Sequence, residues 1–508
     1  MGHKGGNMYA LTAETMHDMD LFTINNGMPG IVLMENAGRA LLEKVTELFP
    51  KKDTNILIIV GSGNNGGDGF CLARWLLHLN YNVTVMFLGK TENMTEDTKS
   101  QLQILNNQFK NNKILKYVAS KTEFKGYDLI VDGLLGTGIN RDVKGDHMSL
   151  IDLINKSEGY KLSIDVPSGL NATNGQIMKI AIQADCTVTF ANPKLGQLLS
   201  DGPDCCGELV VADIGVDKKG YDKIEEKVNV CDDDFLNYGL ANVLKQRKGK
   251  SYKGTYGTVG IIAGDENMIG ASILAAKAAY RAGCGLVNIF CPKSAIETYN
   301  VVLPEAVLTT YKDEAIEDAK NALKPFIEKC DSVCVGPGFR EDSFGRELIN
   351  IILASNARAV LDAGALNLIS QNLLDFTFRN CKCVLTPHIG EMATLLNDKK
   401  ENVVSNMFEL GEKFVTEYMV SLVVKSNSSI IIIRKKDGTL FKYVNTLGNN
   451  GLATGGSGDV LTGIIGSLIA QGNTLDASLL YGVLLHAKAS ERFDNPRKMI
   501  ASDIIENI

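Results

Sequence analysis

The sequence predicts an α/β protein built from two different domains. Its 508 residues exceed the usual size of one domain. Apolar runs of strand length alternate with helical segments along most of the chain. A segment at about 216–250 interrupts this alternation, because it is dense in charge and poor in long apolar runs. We therefore expect a first domain over residues 1–218 and a second over 219–508.

The composition is that of an ordinary globular protein, with 45% hydrophobic and 22% charged residues and a net charge of −7. No stripe of lysine and arginine is present, so no nucleic-acid partner is expected. The most apolar stretches, 55–60 and 460–470, are too short to span a membrane. The eleven cysteines form no paired CxxC motif of the zinc-site kind, and the start lacks a basic and apolar leader. We expect reduced thiols, no structural zinc and a cytoplasmic protein.

The first domain begins with the alternation of a doubly wound, Rossmann-like fold. The pattern places a helix at 34–49, a buried strand at 55–61 that ends in glycine, and a second helix at 68–79. Further strands are predicted in YNVTVMFL, YDLIVDGLL and KLSIDVP. Short glycine-rich connections between strands and helices favour a mostly parallel sheet, whose ligands bind at the carboxyl ends of the strands.

The loop after the first buried strand, GSGNNGGDGF at 61–70, satisfies the dinucleotide pattern GxGxxG. In a hydride-transferring domain an acidic residue closes the second strand and holds the ribose. Here that strand ends in Gly89 and Lys90, which argues against an NAD-dependent oxidoreductase. Asn64, Asn65 and Asp68 add side-chain oxygens that a pyrophosphate cradle does not need, so the loop indicates a more polar ligand.

Two more strand ends carry an aspartate before glycine-rich backbone, Asp132 in VDGLLGTGINRD and Asp165 in SIDVPSG. Asn65, Asp132 and Ser168 offer hard oxygen ligands, which suit a monovalent or divalent cation. Either aspartate alone could simply cap a loop or the following helix. Three such loops together favour a ligand site.

The second domain contains the strongest signal of the chain. Its alternation runs through GTVGIIAG, ASILAAKAAYRAG, GLVNIFCP, SVCVGPG, ARAVLDAG and CKCVLTP to a long apolar helix from about 458. The glycine-rich segment 455–458 leads directly into that helix, with Asp459 in its first turn. Unpaired backbone N–H groups at a helix start can hold an anion, and Asp459 could deprotonate a substrate hydroxyl during phosphoryl transfer. The alternative is a turn in which Asp459 only complements the helix dipole.

Over about residues 8–215 the motifs ENAG, NNGGDG, DGLLGTG and IDVPSG resemble the NAD(P)H-hydrate epimerase family. The resemblance implies that Asp165 contacts the substrate near the reacting ring, where it could assist proton transfer. It implies potassium ligands at Asn65, Asp132 and Ser168. It also implies two substrate loops, which comprise Asn64, Asn65, Gly66, Gly67 and Asp68, and Gly136, Thr137, Gly138, Ile139, Asn140, Arg141 and Asp142.

Over about residues 235–500 the blocks AAYRAGCGLV, GPGF, TPHIGE and GNNGLATGGSGDVLTG resemble the ADP- or ATP-dependent NAD(P)H-hydrate dehydratases, a branch of the ribokinase-like superfamily. The resemblance implies a ribokinase-like α/β domain with Asp459 as the base. The chain departs from the family at Gly364, where an aspartate is usual. The implied contacts are Ala275, Gly338, His388 and Asp459 with the substrate, and Lys425, Ser426, Asn427, Ser428, Ser429 and Gly458 with the nucleotide.

His388 could instead only satisfy a buried loop, although the neighbouring Glu391 favours a polar cluster. The two resemblances together imply a bifunctional enzyme that repairs hydrated NAD(P)H. It would interconvert the R and S epimers of NADHX and NADPHX and dehydrate the S epimer at the expense of ADP or ATP, the choice of donor being open. Potassium is expected in the first domain, magnesium in the second, and a homo-oligomer as the assembly. The alternative is a ribokinase-like small-molecule kinase with a noncatalytic N-terminal binding module.

Overall fold

The computed structural model describes residues 8–110, 113–116, 124–244, 246–265, 267–377 and 379–508. They form two compact units that meet in sequence between Asn229 and Val230. The division lies beyond the expected boundary because the charged segment packs back onto the first unit. The Asp217 N–H donates to Thr23 Oγ1 at 3.0 Å, and Tyr9 pairs with Asn229 in an antiparallel bridge.

The first unit is a parallel sheet with helices on both faces. Its strands are β1 (Tyr9–Ala10), β2 (Asn55–Val60), β3 (Asn82–Phe87), β4 (Lys113–Lys116), β5 (Leu129–Gly133), β6 (Tyr160–Ile164), β7 (Cys186–Phe190) and β8 (Glu208–Ala212). Its helices are α1 (Ala13–Asn25), α2 (Gly30–Leu48), α3 (Asn64–His78), α4 (Glu96–Gln108), α5 (Gly145–Asn155), α6 (Leu195–Leu198) and α7 (Gly202–Cys206). Strand β9 (Val228–Cys231) spans the border between the units.

The seven parallel strands stand in the order β4-β3-β2-β5-β6-β7-β8. The chain reverses its direction of travel across the sheet between β2 and β5, which is the switch point of a Rossmann-like fold and the place where such folds bind ligands. The predicted fold of this domain is confirmed.

Strand β2 shows why the sheet is buried on both faces. Ile56, Ile58 and Val60 point into one hydrophobic core, and Leu57 and Ile59 point into another on the opposite face. An uninterrupted apolar run is therefore what a strand covered by helices on both sides requires. The following helix α3 begins at Asn64, earlier than the predicted 68, so the segment NNGGD forms its first turns.

The second unit is also a parallel sheet between helices. Its strands are β10 (Thr258–Ile262), β11 (Leu286–Pro292), β12 (Val307–Tyr311), β13 (Ser332–Val335), β14 (Arg358–Leu361), β15 (Lys382–Leu385), β16 (Ser421–Val424), β17 (Ile430–Arg434) and β18 (Leu440–Asn445). Its helices are α8 (Asp233–Val243), α9 (Ile269–Arg281), α10 (Ile296–Val302), α11 (Ile316–Glu328), α12 (Ser343–Ala354), α13 (Ala363–Ser370), α14 (Leu373–Thr377), α15 (Ile389–Leu396), α16 (Lys400–Ser405), α17 (Met407–Tyr418), α18 (Ser457–Ala470), α19 (Leu475–Glu491) and α20 (Ala501–Glu506).

The strands of this unit stand in the order β18-β17-β16-β15-β14-β13-β10-β11-β12, and β17 is antiparallel to both of its neighbours, β16 and β18. The predicted α/β fold of this domain is confirmed. Within the described part of the chain, no helix has both the length and the apolar composition needed to cross a membrane.

Candidate active sites

A cavity of about 970 Å³ opens at the carboxyl ends of the strands in the first unit. The loops after β2, β5 and β6 line it together with the start of α3 and one side of α1. Most residues of the two predicted substrate loops lie on its wall, namely Asn64, Asn65, Asp68, Gly136, Thr137, Gly138, Ile139, Asn140, Arg141 and Asp142, together with Asp165. The structure thus brings both loops and the predicted catalytic aspartate to one cavity.

Gly66 and Gly67 do not line this cavity, because they pack into the helix and its neighbours. A Cβ at Gly66 would lie 2.0 Å from the carbonyl oxygen of Gly61, and one at Gly67 would lie 2.6 Å from the side chain of Met34. Both positions therefore require glycine for close packing, which holds the start of α3 against the end of β2.

A buried lysine fixes Asp165 at the cavity wall. The side chain of Lys194 is only 2% exposed, and its ammonium group pairs with Asp165 Oδ1. The same ammonium group donates to Thr189 Oγ1 at 3.0 Å and to the Phe190 carbonyl at 3.2 Å. The described residues donate to Oδ1 of Asp165 and none of them donates to Oδ2. Oδ2 therefore keeps its capacity to accept a hydrogen bond from a ligand in the cavity that Asp165 lines.

The backbone at Asp165 also has an unusual conformation, with a φ of 60° in the left-handed region. The Gln197 side chain holds it there by donating to the Asp165 carbonyl at 2.7 Å. A strained residue at a cavity wall that the surroundings hold in place is typical of functional sites.

Two further carboxyl groups, those of Asp20 and Asp68, face the same cavity. Burial raises the pKa of Asp20 to about 6, while the nearby charges of Lys194 and His17 oppose the rise and that of Asp165 adds to it. Burial, together with the charges of Asp165 and Asp20, raises the pKa of Asp68 well above its usual range. Three carboxyl groups around one ammonium group therefore do not all ionise together.

Sequence reasoning missed Asp20 and Lys194. Asp20 lies on α1, well before the first glycine-rich motif, and Lys194 follows β7 in a stretch without any motif. The one available signal was Lys194 itself, because it is a single charged residue in the apolar run TFANPKLGQLL and charged residues are rarely buried without a partner.

The three predicted potassium ligands meet at the loop after β5. Asp132 is buried, and its Oδ1 accepts from Ser168 Oγ at 2.6 Å while its Oδ2 accepts from the Ser168 N–H at 2.9 Å and from Ser163 Oγ at 3.0 Å. Burial raises the pKa of Asp132, and the hydrogen bonds from Ser168 oppose this rise. The Asn65 amide donates to the Leu135 carbonyl at 2.8 Å.

Asn65 Oδ1 is buried and has no hydrogen-bond partner among the described residues. Buried polar atoms are almost always satisfied, so an orphaned carbonyl oxygen calls for a missing partner. A cation with hard oxygen ligands fits this atom and the oxygens beside it.

In the second unit, Asp459 lies in a cluster of charged side chains at the start of α18. Lys425 Nζ donates to Asp362 Oδ1 at 2.7 Å, and Thr462 Oγ1 donates to Asp362 Oδ2 at 2.9 Å. A Cβ at Gly458 would lie 3.3 Å from Lys425 Nζ. The structure thus brings together Asp459, Gly458 and Lys425, which the sequence predicts to act on the substrate and the nucleotide.

Burial raises the pKa of Asp459 to about 6, and the charge of Asp362 adds to this rise while that of Lys425 opposes it. Just before Asp459, the first helical residue Ser457 contacts His486, with Ser457 Oγ 3.2 Å from Nε2. Burial lowers the pKa of His486 to about 4, so its imidazole is neutral at pH 7. The start of α18 therefore lies beside a neutral imidazole, that of His486, and beside the buried ion pair of Lys425 and Asp362.

His388 and Glu391 form a reciprocal cap at the start of α15. His388 Nδ1 accepts from the Glu391 N–H at 3.1 Å, and Glu391 Oε2 accepts from the His388 N–H at 2.8 Å. The His388 side chain is 57% exposed, so it is not enclosed in a buried loop. Glu391 Oε2 also lies 3.9 Å from Lys425 Nζ, which connects this cap to the charged cluster.

The remaining predicted residues have different surroundings. Ser426, Asn427, Ser428 and Ser429 form the turn between β16 and β17, directly after Lys425. Gly338 has a φ of 59°, and its carbonyl accepts from the Asp265 N–H at 2.8 Å. Ala275 is fully buried where α9 packs on α18, and the structure does not bring its side chain to the cluster. The substrate contact at Ala275 stays a prediction.

The departure at Gly364 has a steric consequence. A Cβ at this position would lie 2.7 Å from the Phe339 carbonyl oxygen. A residue with a side chain at position 364 would therefore require the GPGF loop to adopt a different backbone path. Asp362 is the acidic residue that this segment contributes to the charged cluster.

Fold and sites together define the chain as an α/β protein with one charged active-site cluster in each of its two units. Two families match it. The family described as YjeF-related protein N-terminus matches residues 30–196, and the family described as NAD(P)H-hydrate dehydratase matches residues 259–508.

Relatives match nearly the whole chain. The bifunctional NAD(P)H-hydrate repair enzyme Nnr of Moorella thermoacetica is 34% identical over 98% of this chain and 96% of its own length. The enzyme of the same name from Coxiella burnetii is 32% identical over 97% of each chain. The crystal structure of an ADP/ATP-dependent NAD(P)H-hydrate dehydratase from Bacillus subtilis, crystallised with ATP and Mg²⁺, is 26% identical over 54% of this chain and 94% of its own, with a TM-score of 0.46. The chain belongs to the family of bifunctional NAD(P)H-hydrate repair enzymes.

The pair of Lys425 and Asp362 predicts a large effect on stability. We expect Lys425→Met to lower the free energy of unfolding by about 3 kcal/mol, because it leaves the Asp362 carboxylate buried without its counterion. The measurement is urea denaturation followed by circular dichroism. Replacing Asp362 by Asn in the same chain should recover part of the loss.

Lys435→Met is the matched control, because Lys435 pairs with Asp476 at the surface and such pairs contribute less than about 1 kcal/mol. Equal effects of Lys425→Met and Lys435→Met would contradict the proposed importance of the buried pair.

Proposed function

We propose that the chain repairs hydrated NAD(P)H by one reaction in each unit. The first unit interconverts the R and S epimers at the hydrated ring carbon. The second unit dehydrates the S epimer at the expense of ADP or ATP. One observation carries this proposal. The chain matches a family of bifunctional enzymes over nearly its full length, and each of its two units has a charged cluster at the predicted catalytic aspartate.

In the dehydratase reaction the ring hydroxyl attacks the terminal phosphorus of the nucleotide. Asp459 takes the hydroxyl proton, and the backbone N–H groups of the glycine-rich segment before it stabilise the transferring phosphoryl group. Phosphate then leaves with the C–O bonding electrons while the neighbouring carbon loses a proton and the C=C bond forms again. The net reaction is a dehydration, although the fold is that of a kinase.

Magnesium supplies neutralisation of the phosphate oxygens when it is bound. In the charged cluster of Asp362, Glu391, Asp459 and Lys425, the carboxyl groups face the lysine, and among the described residues no group of three or more acidic, histidine or cysteine side chains could hold a metal ion. Magnesium would therefore be held mainly by the nucleotide phosphates and by water. Within this cluster Lys425 also offers a positive charge to the nucleotide phosphates, and Gly458 leaves room for their approach.

In the epimerase reaction we assign proton transfer to Asp165, supported by its free Oδ2 on the cavity wall. We assign potassium to Asn65, Asp132 and Ser168, supported by the orphaned carbonyl oxygen of Asn65. All eleven cysteines are free thiols, which supports the cytoplasmic placement. The homo-oligomer stays a prediction.

The decisive assay adds the purified protein to mixed hydrate epimers with magnesium and either ADP or ATP, and follows the absorbance of the reduced nicotinamide. We expect recovery of both epimers with at least one nucleotide, after correction for spontaneous epimerisation. Asp459→Asn should abolish it, because the hydroxyl then has no proton acceptor. A stable phosphorylated product without recovered absorbance would instead support the small-molecule kinase.

The pKa of Asp459 predicts the pH dependence of the dehydratase. The base acts in its ionised form, so kcat/KM should be constant above about pH 6 and fall about tenfold for each pH unit below it. An ordinary aspartate would place this limb near pH 4. The measurement uses initial rates with the S epimer of NADHX, corrected for acid decay without enzyme. A rate that stays flat down to pH 5 would contradict the role of this carboxylate.

A further inference from the structure

The cavity of the first unit holds more acid groups than the assigned chemistry uses. Asp20, Asp68 and Asp165 all face it, and Lys194 is the lysine paired among them. We propose that Asp20 is a second catalytic residue, the proton donor that acts together with Asp165 in the epimerisation. This inference rests on the proposed epimerase function and assigns the groups that carry it out.

The chemistry of the hydrated ring requires two proton-transfer groups. Water adds to the dihydropyridine so that the hydroxyl sits on the carbon next to the ring nitrogen, because the nitrogen lone pair stabilises positive charge there. To invert this carbon, the C–O bond breaks and the nitrogen lone pair forms a C=N bond. Water then adds to the opposite face, and its electron pair forms the new C–O bond as the C=N electrons return to nitrogen.

Protons and oxygen balance in this sequence. The donor gives one proton to the departing hydroxyl, which leaves as water. The acceptor takes one proton from the water that attacks the other face. One proton therefore moves from Asp20 to Asp165 in each turnover, and exchange with solvent or the reverse epimerisation restores the starting state. No oxidant or further reactant is needed.

Asp165 suits the role of acceptor. It is paired as a carboxylate with Lys194, and its Oδ2 receives no hydrogen bond from the residues that the structure describes. Lys194 does not suit the role of donor, because its ammonium group already donates to three acceptors: Asp165, Thr189 and Phe190. The donor must therefore come from another group on the cavity wall.

Four further carboxyl groups line the cavity, those of Asp20, Asp68, Asp97 and Asp142. Asp20 and Asp68 are the two whose pKa values respond to the charges of both Asp165 and Lys194, and neither receives a hydrogen bond from a described residue. Asp68 is only 8% exposed, so the solvent that must return a donated proton after each turnover reaches it poorly. Asp20 is less buried, and its pKa of about 6 lets it both give up and regain a proton near neutral pH. This difference selects Asp20 as the donor.

The surroundings of Asp20 account for its tuning. Lys194 and His17 favour the ionised form, whereas Asp165 and burial favour the protonated form. Asp20 and Asp68 also repel each other when both are ionised, because the charge of Asp20 raises the pKa of Asp68. Helix α1 supplies Asp20 and His17, and the other groups come from α3 and from the ends of β6 and β7.

The test compares full-length variants in the R-to-S conversion, with the epimers separated by chromatography and the spontaneous rate subtracted. We expect Asp20→Asn to lower the enzymatic rate about 10²- to 10⁴-fold, the range of one general acid. Asp18→Asn, an exposed position on the same helix, should keep the wild-type rate. Dehydration of the S epimer by the second unit should be unchanged in both, which controls for folding and concentration.

The pH profile separates a proton donor from a structural residue. Wild-type kcat/KM for epimerisation should fall as the pH rises above the pKa of Asp20, because the acid form is lost. Asp20→Glu should retain part of the activity and should still show this fall at high pH. The residual activity of Asp20→Asn should not fall with rising pH in this range. Loss of activity in Asp20→Asn with the fall at high pH intact would show a structural role and overturn the proposal.

The outcomes also separate this inference from the proposed function. If Asp165→Asn abolishes epimerisation while Asp20→Asn keeps at least one third of the wild-type rate, Asp20 is not the donor and the epimerase function stands. If the wild-type chain dehydrates the S epimer but never accelerates the R-to-S conversion, the epimerase function fails and the inference fails with it.

Discussion

A buried ion pair between lysine and aspartate stands at the carboxyl ends of the strands in each unit. Lys194 pairs with Asp165 after β6, and Lys425 pairs with Asp362 after β14. Removing such charges from water is costly, so the pair survives only with further hydrogen bonds. Those bonds come from Thr189 in the first unit and from Thr462 in the second. The loops that form each site are arranged around these pairs.

Each pair sets the chemistry of a neighbouring carboxyl group. One ammonium group cannot stabilise the ionised form of every carboxyl group around it. Burial therefore raises the pKa of one of these carboxyl groups towards neutral pH. Asp20 in the first unit and Asp459 in the second both have a pKa of about 6. Such a group can exchange a proton at physiological pH. In the reactions that we propose, the two units would use this property in opposite directions, with Asp20 as a proton donor and Asp459 as a base.

The sequence was sufficient for the fold and for the loops of both sites, because parallel sheets bind ligands where strands end and both families carry glycine-rich motifs at those ends. Asp165 and Asp459 were predicted in this way, and Lys425 was predicted from the family resemblance. Asp20 and Lys194 were not, because a helix before the first motif and the loop after β7 meet only in three dimensions. The fully buried position of Ala275 likewise depends on helix packing.

The central claim is that two independent sites act in sequence on the two epimers, and a mixture of two inactive variants tests it most directly. Each full-length variant, Asp165→Asn or Asp459→Asn, is assayed alone, and the two are then assayed as a mixture. Every assay contains mixed epimers, nucleotide and magnesium. We expect Asp165→Asn alone to convert only the S epimer to NAD(P)H at the enzymatic rate, and Asp459→Asn alone to form no NAD(P)H. The mixture of both variants should convert both epimers at a rate near that of the wild type. A mixture that stops at the S share would contradict the account.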